Sequence, residues 1–133
     1  MNSAACYEVT YHCRMQLQWF KGVYWAWRLP AGATGPDDAF CVMRTPDETT
    51  VITLSDDPPV EARTSGPWRM FRVDDELPHD AIGILAALSR VLADARIPIL
   101  AFGSFDTDYV CVPGELQRIA RKALKEAGYR GCD

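Results

Sequence analysis

The stretch from Ile99 to Val112 reads Ile-Leu-Ala-Phe-Gly-Ser-Phe-Asp-Thr-Asp-Tyr-Val-Cys-Val, two short apolar runs split by a turn bearing two carboxylates and a hydroxyl. Runs of this length flanking a polar break read as a β-hairpin. Upstream, Asp80 to Arg96 has helical periodicity, and downstream Pro113-Gly114 stops the second strand before another helical pattern from Glu115. The order helix, strand, acidic turn, strand, helix leaves few folds open. An antiparallel sheet with both helices on one face satisfies it.

The first predicted helix sets Ile82, Leu85, Leu88, Val91, Leu92 and Ala95 three and four residues apart, a single apolar stripe. Asp80 is placed to cap it, since its carboxylate can accept from the unpaired N–H groups of the first turn. Arg96-Ile97-Pro98 ends helical geometry, so the next strand cannot begin before Pro98. In the last helix Leu116, Ile119, Ala120, Ala123, Leu124 and Ala127 repeat the stripe, and Gly128 supplies the residue that closes it. A strand over Pro67 to Val73 precedes the first helix, and the tail Tyr129 to Asp133 is a stub of a last strand. The expected unit is βαββα with an incomplete final β. Its open sheet edge requires cover from elsewhere in the chain or from a second chain.

Turn-forming clusters at Asp56-Asp57-Pro58-Pro59 and Thr64-Ser65-Gly66-Pro67 divide the sequence. The first half is strand-rich. Tyr7 to Leu17 suits a half-buried strand, and Val23, Trp25, Trp27 and Leu29 alternate with Tyr24, Ala26 and Arg28. Ala39 to Arg44 and Thr49 to Leu54 read as two strands joined by Thr45-Pro46-Asp47-Glu48. Asp37 to Phe40 offers at most one helical turn.

Of 133 residues, 48% are apolar and 24% charged, an ordinary balance for a soluble globular protein, and the net charge is −4. Arg118, Arg121, Lys122 and Lys125 are spread along one helix and make no basic stripe, which disfavours nucleic acid and anionic membranes as partners. No run reaches the roughly 18 apolar residues of a spanning helix. The start, Met-Asn-Ser-Ala-Ala-Cys-Tyr-Glu, has no basic or apolar leader pattern, so a cytoplasmic protein is expected. Five cysteines, Cys6, Cys13, Cys41, Cys111 and Cys132, lack paired spacing and read as reduced thiols. His12 beside Cys13 and Cys6 fits no structural zinc pattern, and no metal or cofactor is expected. His79, Asp80 and Ser104 lack a nucleophile-elbow glycine pattern, and no Gly-rich phosphate loop precedes a helix, so no catalytic residues are assigned.

The second half resembles the ACT-domain family of small-molecule-sensing modules. The residues that carry the resemblance are Trp68-Arg69, Gly83-Ile84-Leu85-Ala86 and Phe105-Asp106-Thr107-Asp108-Tyr109-Val110. In the first half, Arg44-Thr45-Pro46-Asp47-Glu48 followed by Thr50-Val51-Ile52 is similar to the hairpin of small bacterial proteins with two ACT-like repeats. The cytosolic arginine sensors of animals use the same repeat type. The resemblance covers roughly residues 22 to 130. It implies an α+β, ferredoxin-like βαββαβ fold, tandemly duplicated, with a degenerate strand-rich repeat over 1–64 and an ACT domain over 65–133. It departs from the family where many relatives have Ser-Thr and this chain has Gly103-Ser104, and at Pro78-His79-Asp80.

A free amino acid needs N–H groups for its carboxylate, which a helix N-terminus offers, and carboxylates or carbonyls for its ammonium. In a ferredoxin-like domain the start of the first helix lies close to the neighbouring strand. That geometry brings Asp80, Ala81, Ile82 and Gly83 towards Phe102, Gly103, Ser104 and Asp106. The resemblance points to the same place and implies a regulatory, non-enzymatic protein that binds a free amino acid or similar small molecule, as a homodimer. Each residue also has a structural reading: Asp106-Thr107-Asp108 is an adequate turn by itself, Asp80 an ordinary cap, and Gly83 a packing residue. A structural or protein-interaction module with this fold and no ligand is the alternative.

Overall fold

A computed structural model describes residues 15–133. His12, Cys6, Cys13 and most of the expected strand from Tyr7 to Leu17 lie outside the described residues. Among the described residues, seven strands, β1 (Leu17–Trp19), β2 (Tyr24–Pro30), β3 (Cys41–Arg44), β4 (Glu48–Thr53), β5 (Arg63–Val73), β6 (Leu100–Gly103) and β7 (Asp108–Pro113), accompany two α-helices, α1 (Ile84–Asp94) and α2 (Gln117–Glu126). A 3-10 turn, Gly114–Leu116, leads into α2. The chain separates into two compact units, one of residues 15–20 with Arg69–Asp133 and the other Lys21–Trp68. Strand β5 supplies its first part to the second of these and its last part to the first. Among the described residues no helix is long and apolar enough to cross a membrane.

In the Arg69–Asp133 unit, β5 is flanked by β7, with β6 beyond it, and by β1. Leu17, Gln18 and Trp19 of β1 pair antiparallel with Val73, Arg72 and Phe71. The tail adds a parallel bridge between Gln16 and Arg130, with the Leu17 N–H donating to the Arg130 carbonyl at 2.9 Å and the Arg130 N–H to that of Met15 at 3.1 Å. The edge that the short tail leaves open is thus covered by β1. The core joins Leu17, Phe71, Val73, Val110 and Val112 from the sheet to Ile84, Leu88 and Leu92 of α1 and Ala120 and Leu124 of α2. Burying each of the larger side chains contributes about 1.5–3 kcal/mol.

The start of α1 differs from the expectation. The helix begins at Ile84 behind Gly83 in the left-handed conformation, and no side chain caps it. Asp80 is therefore not the cap; it sits in a turn that the Ala81 N–H closes onto the Pro78 carbonyl at 3.1 Å. Pro78, whose fixed φ favours a turn, draws the chain away from the helix path. The stripe shifts with it: Ile84, Leu88 and Leu92 are buried, whereas Ile82 and Leu85 are 61% and 38% exposed. In α2 the stripe stands on Ala120 and Leu124, and Ile119 is half exposed.

Both helices end in one arrangement. The N–H of Ile97 bonds the Leu92 carbonyl and that of Arg96 bonds Ala93; the N–H of Tyr129 bonds Leu124 and that of Gly128 bonds Lys125. This pairing of two orphan carbonyls requires a left-handed residue, Gly128 in α2 and Arg96 (φ 62°) in α1. Ile97 and Tyr129 then turn into the core.

In the Lys21–Trp68 unit the strand order is β3, β4, β2, β5. Trp27, Leu29 and Val51 form its core, backed by Trp25, Ala33, Ala39, Val42 and Ala62. The cluster Thr64-Ser65-Gly66-Pro67, expected as a boundary turn, lies inside β5. There the register slips between Tyr24 opposite Trp68 and Ala26 opposite Ser65. The extra residue makes a bulge, the place in a sheet where glycine and proline are tolerated. Trp27 and Leu29 are buried in the expected phase, whereas at the start of the strand Tyr24 is buried in place of the expected Val23. Residues 37–38 form a turn, not a helix.

Each unit carries a hairpin with the same turn. In β3–β4 the Thr45 N–H and hydroxyl both donate to the Glu48 carbonyl, at 3.0 Å each, while Thr45 Oγ1 accepts from the N–H groups of Asp47 and Glu48. In β6–β7 Ser104 does the same with Thr107 as terminal residue, its N–H at 2.8 Å and hydroxyl at 3.2 Å, and its Oγ accepting from Asp106 and Thr107.

Candidate functional site

The β6–β7 turn runs from Ser104 to Thr107 between Gly103 at the end of β6 and Asp108 at the start of β7, with Ser104, Phe105 and Asp106 exposed. Thr107 ties it down. This buried residue donates its hydroxyl to the Val73 carbonyl at the end of β5, 2.8 Å away. The loop between β5 and α1 then folds back over the turn, with the Leu77 N–H on the Asp106 carbonyl at 2.8 Å and His79 Nε2 on the Phe105 carbonyl at 2.7 Å. Nε2 therefore carries the proton there, and the His79 and Phe105 rings meet edge to face at 4.6 Å.

Loop and turn enclose a crevice of about 240 Å³. Leu77, Pro78, His79 and Ala81 form one wall and Ser104 to Asp108 the other. A second hollow of about 250 Å³ lies on the other side of Asp106 and Thr107, walled by Arg72 to Glu76. Arg72 is bound there to Asp74 at 3.1 Å.

Electrostatically the crevice is acidic. Asp106 is exposed, while Asp108 is half-buried, and desolvation pushes its carboxyl above the usual range. No ion pair reaches Asp108 among the described residues. A partly desolvated carboxylate without a counter-ion attracts an ammonium or another strong donor. The exposed Phe105 ring adds apolar surface at the mouth. Among the described residues no cluster of His, Cys, Asp and Glu could hold a metal ion.

Of the eight residues expected from the sequence, Ala81, Ser104 and Asp106 come together on the walls. Asp80, Ile82 and Gly83 belong to the turn before α1, outside the lining, and Ile82 is open to solvent. Phe102 stacks on Tyr109 with ring centres 5.6 Å apart, and Gly103 pairs with Asp108 across the hairpin. Leu77, Pro78, His79, Phe105, Thr107 and Asp108 line the crevice without having been expected. Pro78 and His79 carried a signal, the departure from the family pattern immediately before Asp80. Thr107 and Asp108 lay inside the recognised turn.

Residues 63–126 match the ACT-domain family. The matched segment runs from the first residue of β5 to the last of α2. No curated relative matches the sequence. Among solved structures, the chain is similar to a protein from Agobacterium tumefaciens at 27% identity and a TM-score of 0.77, covering 88% of this chain and 91% of that one. It is also similar to a Vibrio cholerae protein of unknown function described as a possible transport protein, at 20% identity and a TM-score of 0.67, covering 86% and 90%. The ligand-free regulatory subunit of aspartate kinase from Thermus thermophilus shares the fold at 12% identity and a TM-score of 0.62, covering 84% and 96%. The fold is thus α+β, and the segment β5–α1–β6–β7–α2, which builds both walls of the crevice, is the part that matches the ACT domain.

Proposed function

We propose that this protein is a non-catalytic regulatory module that binds a free amino acid or similar small molecule in the crevice between the loop before α1 and the β6–β7 turn. The observation that carries the reading is the crevice itself, about 240 Å³ with the half-buried Asp108 on its wall, built from the segment that matches the ACT domain. Asp106 and Asp108 face the ammonium, and Ala81 and Ser104 stand on the two walls of the crevice. We take the chain as two ACT-like repeats over 1–64 and 65–133, a reading supported by the identical turns of the two hairpins, and expect a homodimer. Sedimentation showing only monomer at tens of micromolar would remove the dimer.

The test is thermal shift against the twenty amino acids at millimolar concentration. Binding to the native state alone at a hundred times Kd adds about 2.7 kcal/mol. At least one amino acid should raise Tm, and Asp106→Ala should abolish the shift with its far-UV spectrum intact. One observation favours the alternative of a protein-interaction module without ligand: the Ser104 hydroxyl is committed to the turn. A flat screen would select that alternative.

A further inference from the structure

The two hairpins share one turn but differ at the residue before it. In β6–β7 that residue is Gly103, paired with Asp108; in β3–β4 it is Arg44, paired with Thr49. Arg44 Nη2 donates to the Thr34 carbonyl at 2.6 Å. Thr34 stands four residues beyond Pro30, the end of β2, as Leu77 stands four beyond Val73, the end of β5. Leu77 is a wall of the crevice. The Arg44 side chain therefore runs from its hairpin to its loop across the counterpart of the crevice lined by Ser104 and Asp108, the chain neighbour and the strand partner of Gly103. At Gly103 a Cβ would meet Asp108 Oδ1 at 3.3 Å and nothing else within contact, and its φ is negative, so the backbone accepts a side chain.

We infer that the chain offers one crevice for a small molecule and not two, because Gly103 leaves the first open while Arg44 closes its counterpart with its own tethered guanidinium. This rests on the binding function proposed above. At Thr34 a loop carbonyl accepts this cationic donor, and in the crevice the acceptor offered to one is the Asp108 carboxylate. In the Lys21–Trp68 unit the protein supplies that donor itself.

The test is a crystal structure of Gly103→Arg together with equilibrium dialysis of the full chain, using the amino acid that gives the largest thermal shift. The new guanidinium should lie across the crevice, on the loop at Leu77 or on Asp108. Wild type should bind one molecule per chain, and the variant should lose at least tenfold in affinity while Gly103→Ala keeps most of it. Two molecules per wild-type chain, or an arginine pointing to solvent with the crevice open, would overturn the inference. Should Gly103→Arg not fold, the structure of Arg44→Gly decides: a gap between the turn at Thr45 and the loop at Thr34 supports it, and a collapsed loop refutes it. A flat amino-acid screen would end the sensing function, and the crystal structures would still judge the closure.

Discussion

Thr107 holds the candidate site to the core, and replacing it separates a hydrogen bond from a packing effect. Its hydroxyl reaches the Val73 carbonyl at 2.8 Å, and both residues are buried, Thr107 at 6% exposure and Val73 at 1%. Thr107→Val keeps the volume and removes the donor. The bond itself is worth about 0.5–1.5 kcal/mol net, but a buried carbonyl left without its partner costs about 1–3 kcal/mol. Thr107→Ser keeps the donor and loses one methyl group, at about 1 kcal/mol. We therefore expect Thr107→Val to cost about 2 kcal/mol and to exceed the serine variant, although valine is the closer match in shape. In a protein of this size 1 kcal/mol moves Tm by roughly 3–5 °C, so the two variants should be resolved by calorimetry and by urea titration. The valine variant should also loosen the turn, weakening any ligand held between it and the loop. Equal stability of the two variants, or a more stable valine variant, would show that the bond does not anchor the hairpin.

Two further outcomes follow from single contacts. Gly131 has a φ of 84°, and a Cβ there would overlap the Leu17 carbonyl, which is backbone and cannot swing aside. Gly131→Ala should cost about 2–4 kcal/mol, from the left-handed penalty and the bonds that join Arg130 to β1, and an unchanged urea midpoint would show that the tail does not seal that edge. Asp108 has its pKa raised by desolvation, so the stability it contributes is full below the unfolded pKa and is lost as pH rises through the folded one. Asp108→Asn should raise Tm at pH 7, and the gain should vanish below about pH 4, where both forms are neutral. A variant less stable than wild type at pH 7 would mean that the carboxylate has favourable partners in the folded protein.

The hairpin Ile99–Val112 was legible because it is local: apolar runs around a Ser-Phe-Asp-Thr turn satisfy their own hydrogen bonds, whatever surrounds them. Gly128 as a helix stop and the β3–β4 hairpin were legible for the same reason. The start of α1 was not, since Asp80 and Pro78 offer a cap and a turn with equal local merit, and the choice fell with the loop that bonds Asp106 and Phe105. Nor could Leu77 and His79 be seen as walls of a crevice, because their partners lie some thirty residues away in sequence and meet them only once Thr107 is fixed on Val73.

The sequence by itself determined the alternation of strands and helices, both hairpin turns and the acidic character of the β6–β7 turn, all short-range properties of hydrophobic spacing and side-chain chemistry. Tertiary structure alone decided that β1 would occupy the open edge beside β5, that Gly66-Pro67 would be a bulge inside a strand, and that the loop at Leu77 would close over the turn. Those outcomes depend on which unsatisfied backbone groups find one another across long stretches of chain. No local pattern encodes that pairing, since each partner is competent alone and is selected only by the packed core between them.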